Sequence, residues 1–198
     1  MGDELQVGMT ITDDDATLEG ESAYDQLGWS VSGAGDVDND GYDDILAGAP
    51  EDDNGNVDAG GAMLVYGHAG ISGTISEDVR LIGVFYTENA GASVAIVPDM
   101  DGDRRDEILV GAPANGISGA AAGAAYVFFG GGLSGTIGLD DGQIMVGGAP
   151  GDAAGSSVAS AGDIDGDGWV DLLIGAPGAS DSYTGGGVAY LMLGSMLE

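Results

Sequence analysis

The feature that most restricts this chain is a nine-residue acidic loop that returns at a fixed spacing. Its third copy, residues 163–171, reads Asp-Ile-Asp-Gly-Asp-Gly-Trp-Val-Asp. Asp163, Asp165, Asp167 and Asp171 thus fall at positions 1, 3, 5 and 9, with glycine at position 6. Alternate residues of a tight loop can point at one centre, and hard oxygen ligands at that spacing suit Ca²⁺. A near copy holds Asp36, Asp38, Asp40, Gly41 and Asp44, and another holds Asp99, Asp101, Asp103 and Glu107. The copies begin 63 residues apart (36 to 99) and then 64 (99 to 163). Three equivalent loops at one period imply a repeat architecture, whose units bury their cores against one another.

Aligning on these loops brings the rest of the sequence into register. Before them stand Leu27-Gly28-Trp29-Ser30-Val31, Ala90-Gly91-Ala92-Ser93-Val94 and Ala154-Gly155-Ser156-Ser157-Val158. After them come the apolar runs Ile45-Leu46-Ala47, Ile108-Leu109-Val110 and Leu172-Leu173-Ile174, each followed by Gly-Ala-Pro. Short unbroken apolar runs between turn signals read as strands buried on both faces, and the proline, lacking an N–H, stops each one. About a dozen residues on come Met63-Leu64-Val65-Tyr66, Tyr126-Val127-Phe128-Phe129 and Tyr190-Leu191-Met192-Leu193. A weaker fourth strand is expected at Arg80-Leu81-Ile82-Gly83 and Gln143-Ile144-Met145-Val146-Gly147, and its third copy at the N-terminus, Thr17-Leu18-Glu19-Gly20.

Each unit is therefore four strands, A to D, with the acidic loop joining A to B. The units run approximately over residues 16–83, 84–147 and 148–194. The small residues of strand A suit a crowded axis, and the large apolar residues of B and C suit the space between sheets. Four-stranded antiparallel sheets repeated about an axis make a β-propeller, so the expected fold is all-β with three blades. The strand displaced to the front would complete the last blade of a ring. Three blades fall short of the 4–8 that a propeller needs. The chain is thus expected either to be excised from a larger propeller or to assemble. A homodimer of six blades, clasped by an exchanged strand, is the favoured assembly.

Charge narrows the partners. Thirty-four acids face three arginines, Arg80, Arg104 and Arg105, for a formal net charge of −31. No basic patch is available to displace counterions from phosphate, which argues against nucleic acid, and anionic membranes are disfavoured on the same ground. Twelve of the 34 acids (four in each of three loops) stand at ligand positions. The remainder read as a halophile's acidic surface or as solubilising charge. No apolar run reaches the ~18 residues of a membrane helix, so membrane insertion is not expected. Cysteine is absent, and no signal peptide is visible. The Met1-Gly2 and Leu197-Glu198 ends read as cloning residues.

The Gly-x-Ser-Val, acidic loop and Gly-Ala-Pro series at this period resembles the FG-GAP repeat of integrin α-subunit propellers, over roughly residues 16–194. The resemblance implies Ca²⁺ in each A–B loop and a propeller that makes extracellular protein or matrix contacts. Two departures stand out. Leu27, Ala90 and Ala154 replace the aromatic of the Phe-Gly pair, and three blades stand where integrins have seven. The acidity and the closely similar repeats suggest a prokaryotic or engineered member.

The loops could instead be EF-hand or dockerin-type, which require an acid at position 12 and a following helix. Position 12 is Ala47, Val110 or Ile174, inside an apolar strand. That reading fails. Position 9 supplies the closing acid, and the backbone carbonyl of position 7 (Tyr42, Arg105, Trp169) is expected to complete each site. Up to three Ca²⁺ per chain follow, with the 99–107 site the weakest because Arg104 replaces the position-6 glycine. His68 reads as a surface turn residue, and Trp29 as a packing residue of strand A. With no cysteine, no lysine and one histidine, nucleophile–base pairs are nearly unavailable, and catalysis is not expected. The expected role is a Ca²⁺-stabilised propeller segment for adhesion at the cell surface or outside the cell. The alternatives are a carbohydrate-binding propeller, lectin-like or a scaffold for polysaccharide degradation, and residence in a halophile's cytoplasm.

Overall fold

The computed structural model describes residues 16–180 and 183–197. Fourteen strands follow one another in it. The first four are β1 (Ala16–Leu18), β2 (Ser30–Gly35), β3 (Asp44–Ala49) and β4 (Gly61–Val65). Next come β5 (Gly73–Ile75), β6 (Val79–Ile82), β7 (Ser93–Val97), β8 (Glu107–Ala112) and β9 (Ala124–Phe128). The last five are β10 (Gly135–Gly138), β11 (Gln143–Val146), β12 (Ser157–Gly162), β13 (Asp171–Ala176) and β14 (Val188–Met192). Two single 3₁₀ turns, Leu139–Asp141 and Gly194–Met196, are the only helical segments among the described residues.

The expected blades are present. The first is the antiparallel sheet β2-β3-β4-β6, the second β7-β8-β9-β11, and the third β12-β13-β14. Register is conserved between them: Gly48 lies opposite Ala62, Gly111 opposite Ala125, and Gly175 opposite Ala189. The inner strands β2, β7 and β12 are consecutive neighbours. Their Ser, Ala and Gly residues are what lets them converge. A Cβ on Gly48 would sit 2.1 Å from the Gly91 carbonyl oxygen, and one on Gly111 would sit 2.1 Å from that of Gly155. Only glycine at the head of the first two Gly-Ala-Pro segments allows that approach between blades.

Two apolar cores fill the gaps between the three sheets. Leu46, Leu64, Val79 and Leu81 of the first blade meet Val94, Ile108, Val110 and Tyr126 of the second. The opposite face of the second blade, with Ala95, Val97, Leu109 and Val127, meets Leu172, Ile174 and Ala176 of the third. Both faces of the middle sheet are thus buried, which is why β8 and β9 are unbroken apolar runs. Serines tie neighbouring blades: Ser30 Oγ donates to the Gly91 carbonyl and Ser93 Oγ to that of Gly155, each at 2.8 Å.

The short strands β5 and β10 were not anticipated from sequence. Three or four residues such as Gly73-Thr74-Ile75 carry too little pattern to read. β10 pairs in parallel with β6, so the connection into the second blade's fourth strand lies along the outer edge of the first blade. β1 pairs in parallel with β5, Thr17 facing Thr74 and Leu18 facing Ile75. The expected fourth-strand segment thus forms a strand. Within one chain it lies beside β5, and the strand order of the third sheet ends at β14.

Candidate metal centres

Each acidic loop is shaped by its own first carboxylate. In the first, Asp36 accepts the N–H groups of Asp40 (3.0 Å) and Gly41 (2.9 Å). In the second, Asp99 accepts those of Gly102 (2.7 Å) and Arg104 (2.9 Å). In the third, Asp163 accepts those of Gly166 (2.7 Å) and Gly168 (3.0 Å). These bonds curl each loop over its leading aspartate. Positions 3 and 5 repeat the device over two residues: Asp38 accepts from Asp40, Asp101 from Asp103 and Asp165 from Asp167. The position-7 N–H of Tyr42, Arg105 or Trp169 then donates to the position-5 carboxylate.

The position-9 acid ties the loop to the sheet. Both oxygens of Asp44 accept backbone N–H groups, from Val37 (2.7 Å) and from Gly67 at the end of β4 (2.8 Å). Asp171 accepts from Ile164 (2.8 Å) and from Gly194 after β14 (2.9 Å). Glu107 differs. Its Oε2 accepts from Met100 (2.7 Å), while its buried Oε1 has no hydrogen-bond partner among the described residues. Burial pushes the Glu107 carboxyl up to about 8, and the same cause raises Asp44 above the usual carboxylate range.

The carboxylates converge as the spacing requires, but to different degrees. In the middle loop Asp99, Asp101, Asp103 and Glu107 each offer an oxygen within 4.8 Å of all the others. In the first loop Asp36, Asp38 and Asp40 meet that criterion, and Asp44 lies outside their group. In the third Asp163, Asp165 and Asp171 meet it, and Asp167 lies outside. The residues fit a hard divalent cation. Clustered carboxylates repel one another, and Glu107, a member of the middle cluster, keeps a buried acceptor oxygen without a partner among the described residues.

Position 6 is left-handed in all three loops, with φ of +93° at Gly41, +76° at Arg104 and +96° at Gly168. Arg105 also forms an ion pair with Asp103 at 2.9 Å. The Trp169 ring of the third loop lies 3.7 Å from the Cβ position of Gly102 in the second, so it bridges adjacent loops. Sequence reading missed Asp106. Its carboxylate accepts the N–H of Asp36 (3.0 Å) and of Asp99 (3.1 Å), which locks the first loop to the second. The acidic pairs Asp43-Asp44 and Asp106-Glu107 were the available signal. His68 is exposed, as expected, in the loop just before the turn at Ala69-Gly70. Trp29 departs from its expected packing role. It precedes β2 and is 65% exposed, over a cleft lined by Gln26, Pro50, Glu51, Asn89 and Pro113.

The FG-GAP repeat model matches residues 27–63, 90–128 and 154–192, which together exceed half of the chain and span the first three strands of each sheet, short of the last two residues of β4. The chain belongs to the FG-GAP repeat family. Integrin alpha-5 of Xenopus laevis is 33% identical over 172 residues, covering 81% of this chain and 16% of the integrin. Human integrin alpha-7 is 33% identical (80% and 13% coverage), and human integrin alpha-IIb 32% (82% and 16%). This FG-GAP chain thus spans under a fifth of the length of the integrins it matches. It is an integrin-like propeller segment, and its acidic clusters are compatible with divalent cation sites. Among the described residues no helix is long and apolar enough to cross a membrane.

Proposed function

We propose that this FG-GAP segment is a non-catalytic, Ca²⁺-stabilised adhesion module acting outside the cell or at its surface. The observation that carries the metal reading is the convergence of Asp99, Asp101, Asp103 and Glu107, with one buried carboxylate oxygen unpartnered among the described residues. A bound Ca²⁺ supplies the positive charge that offsets these clustered acids. Asp36, Asp38, Asp40 and Asp44 hold the first ion, Asp163, Asp165, Asp167 and Asp171 the third, and the position-7 carbonyls of Tyr42, Arg105 and Trp169 complete the sets. Affinities of roughly 10⁻⁴–10⁻³ M suffice for a module bathed in extracellular Ca²⁺.

The middle site is the weakest of the three, although its carboxylates are the best gathered. Arg105 already pairs with Asp103, and Arg104 holds a strained φ where its counterparts are glycine. Calorimetric Ca²⁺ titration tests both points. It should show up to three sites, with the 99–107 loop filling last. Absence of binding would overturn the metal reading, and first filling of that loop would overturn the ranking.

The acidic loops and the face we assign to contacts lie at opposite ends of the blades. The acidic loops join the end of each A strand to the start of its B strand. The opposite end carries the connections that enter A and leave B, and it holds the exposed side chains of Tyr24, Trp29, Tyr86, Val57, Ile117 and Tyr183. Exposed aromatics rimmed by acids suit a protein contact. Binding to a panel of immobilised matrix proteins, wild type against a Tyr24→Ala, Trp29→Ala, Tyr86→Ala variant, is the test. Loss of binding in the variant supports the face, and equal binding rejects it. The exposed Trp29 over its cleft also favours a second reading, stacking on a sugar, which a glycan array would reveal.

A further inference from the structure

The N-terminal strand stands in a place that belongs to a blade the chain does not itself provide. The parallel pair β1–β5 repeats the pair β6–β10 one unit earlier. Leu18 lies 63 residues before Leu81 (18 to 81), and Ile75 lies 62 before Ile137 (75 to 137). Leu18 faces Ile75 as Leu81 faces Ile137. In the later pair, β6 is the fourth strand of the preceding blade, hydrogen-bonded on its other side to β4. By the same geometry β1 is the fourth strand of a blade ahead of the first. The third blade has the complementary lack, since among the described residues its sheet ends at β14.

We propose that the missing blade is the third blade of a second copy, and that two copies exchange β1 strands to close a six-bladed ring. The register follows from the repeats. Leu81 faces Ala62 in the first blade and Met145 faces Ala125 in the second. Leu18 therefore faces Ala189 of the second copy, with β1 antiparallel to its β14.

The two end faces match this partner residue by residue. Ile45 is 41% exposed, whereas Ile108, its equivalent at an internal junction, is 0% exposed. Leu173 is 40% exposed, whereas its equivalents Leu46 and Leu109 are 0% exposed. Val31 is likewise open where Val94 is buried. One end thus presents the face that receives a blade, and the other presents the face that a blade is received upon. Ser157 and Gly28 complete the match. They correspond to the Ser30–Gly91 and Ser93–Gly155 pairs, and both are exposed in the single chain. Two is the number of copies because six is the only multiple of three within the 4–8 blades of a propeller. The ring then has two-fold symmetry and no free blade edge.

Light scattering of the full chain, with Ca²⁺ and with a chelator, is the first test. A two-chain mass in either condition is the expected result. A single-chain mass in both, or an open series of larger masses, overturns the proposal. Failure of Ca²⁺ binding leaves this readout intact, so the two readings fail separately. An Ile45→Glu, Leu173→Glu variant places charge where one chain is open to solvent and the ring is closed. It should yield a folded single chain, and an unchanged two-chain mass overturns the proposal. The strand exchange has its own test, because the chain has no native cysteine. A Leu18→Cys, Ala189→Cys variant should oxidise to a covalent pair of chains, with reduction restoring one. A two-chain particle that fails to cross-link between chains rejects the exchanged strand.

Discussion

Glu107 and Arg104 are where single residues decide the behaviour of the middle loop. A buried carboxylate oxygen without a partner costs on the order of 1–3 kcal/mol, and more when charged. Replacing Glu107 by Gln removes the closing carboxylate ligand while keeping a side chain of the same size. The expected outcome is at least about a tenfold loss of Ca²⁺ affinity at this site, equivalent to roughly 1.4 kcal/mol. Cation-free stability should be unchanged or higher, as read by calorimetric titration and by denaturant melts in chelator. Arg104→Gly acts through the backbone. At φ +76° it should recover roughly 1 kcal/mol of left-handed strain. It should therefore raise the melting temperature and tighten the middle site in the same titration. The left-handed turn was legible from Gly41 and Gly168 alone. The role of Asp106 was not legible, because nothing in a sequence shows that its carboxylate bridges its own loop to the neighbouring unit's.

Strands and their junctions carry the next level of stability. Glu88, Asn115 and Tyr126 form a buried network beneath the connection into the second blade. Glu88 Oε2 accepts the Tyr126 hydroxyl (2.8 Å) and the Asn115 amide (2.6 Å), and its Oε1 accepts Val84 and Phe85 N–H groups. Burial, with the Glu88 charge beside it, holds the Tyr126 hydroxyl protonated well beyond its ordinary range. Tyr126→Phe leaves the carboxylate short of a donor and should cost about 1–3 kcal/mol, measured by denaturant unfolding. Ser93→Ala removes only the inter-blade bond to Gly155 and should cost about 0.5–1.5 kcal/mol. The A, B and C strands were readable because buried strands are apolar runs closed by Gly-Ala-Pro. The parallel pairings of β5 and β10 were not readable, because backbone ladders between three-residue segments leave no side-chain pattern.

At the scale of the molecule, charge and repetition oppose each other. A formal net charge of −31 strains any compact state. Removing cations with a chelator at low salt should therefore lower the melting temperature by several degrees, and added neutral salt should recover part of that by screening. Calorimetry in matched buffers distinguishes this from specific binding, since only Ca²⁺ should act at sub-millimolar excess. The three-fold repetition was plain in the sequence, and so was the propeller class. What pattern alone left open was the place of the first strand, which depends on which edge lies near it in space.

The parallel seam between β6 and β10 also determines how the chain comes apart. β10 belongs by sequence to the second unit, yet its backbone is held by the last strand of the first. Local opening therefore cannot follow the repeat boundaries: releasing β6 also strips the support from the connection above it. Amides of β6 and β10 should exchange with solvent in one cooperative step, slower than those of β12 or β14, in native-state hydrogen exchange. The smallest piece able to open independently is then larger than a blade. Truncation at a unit boundary would be expected to damage two sheets at once.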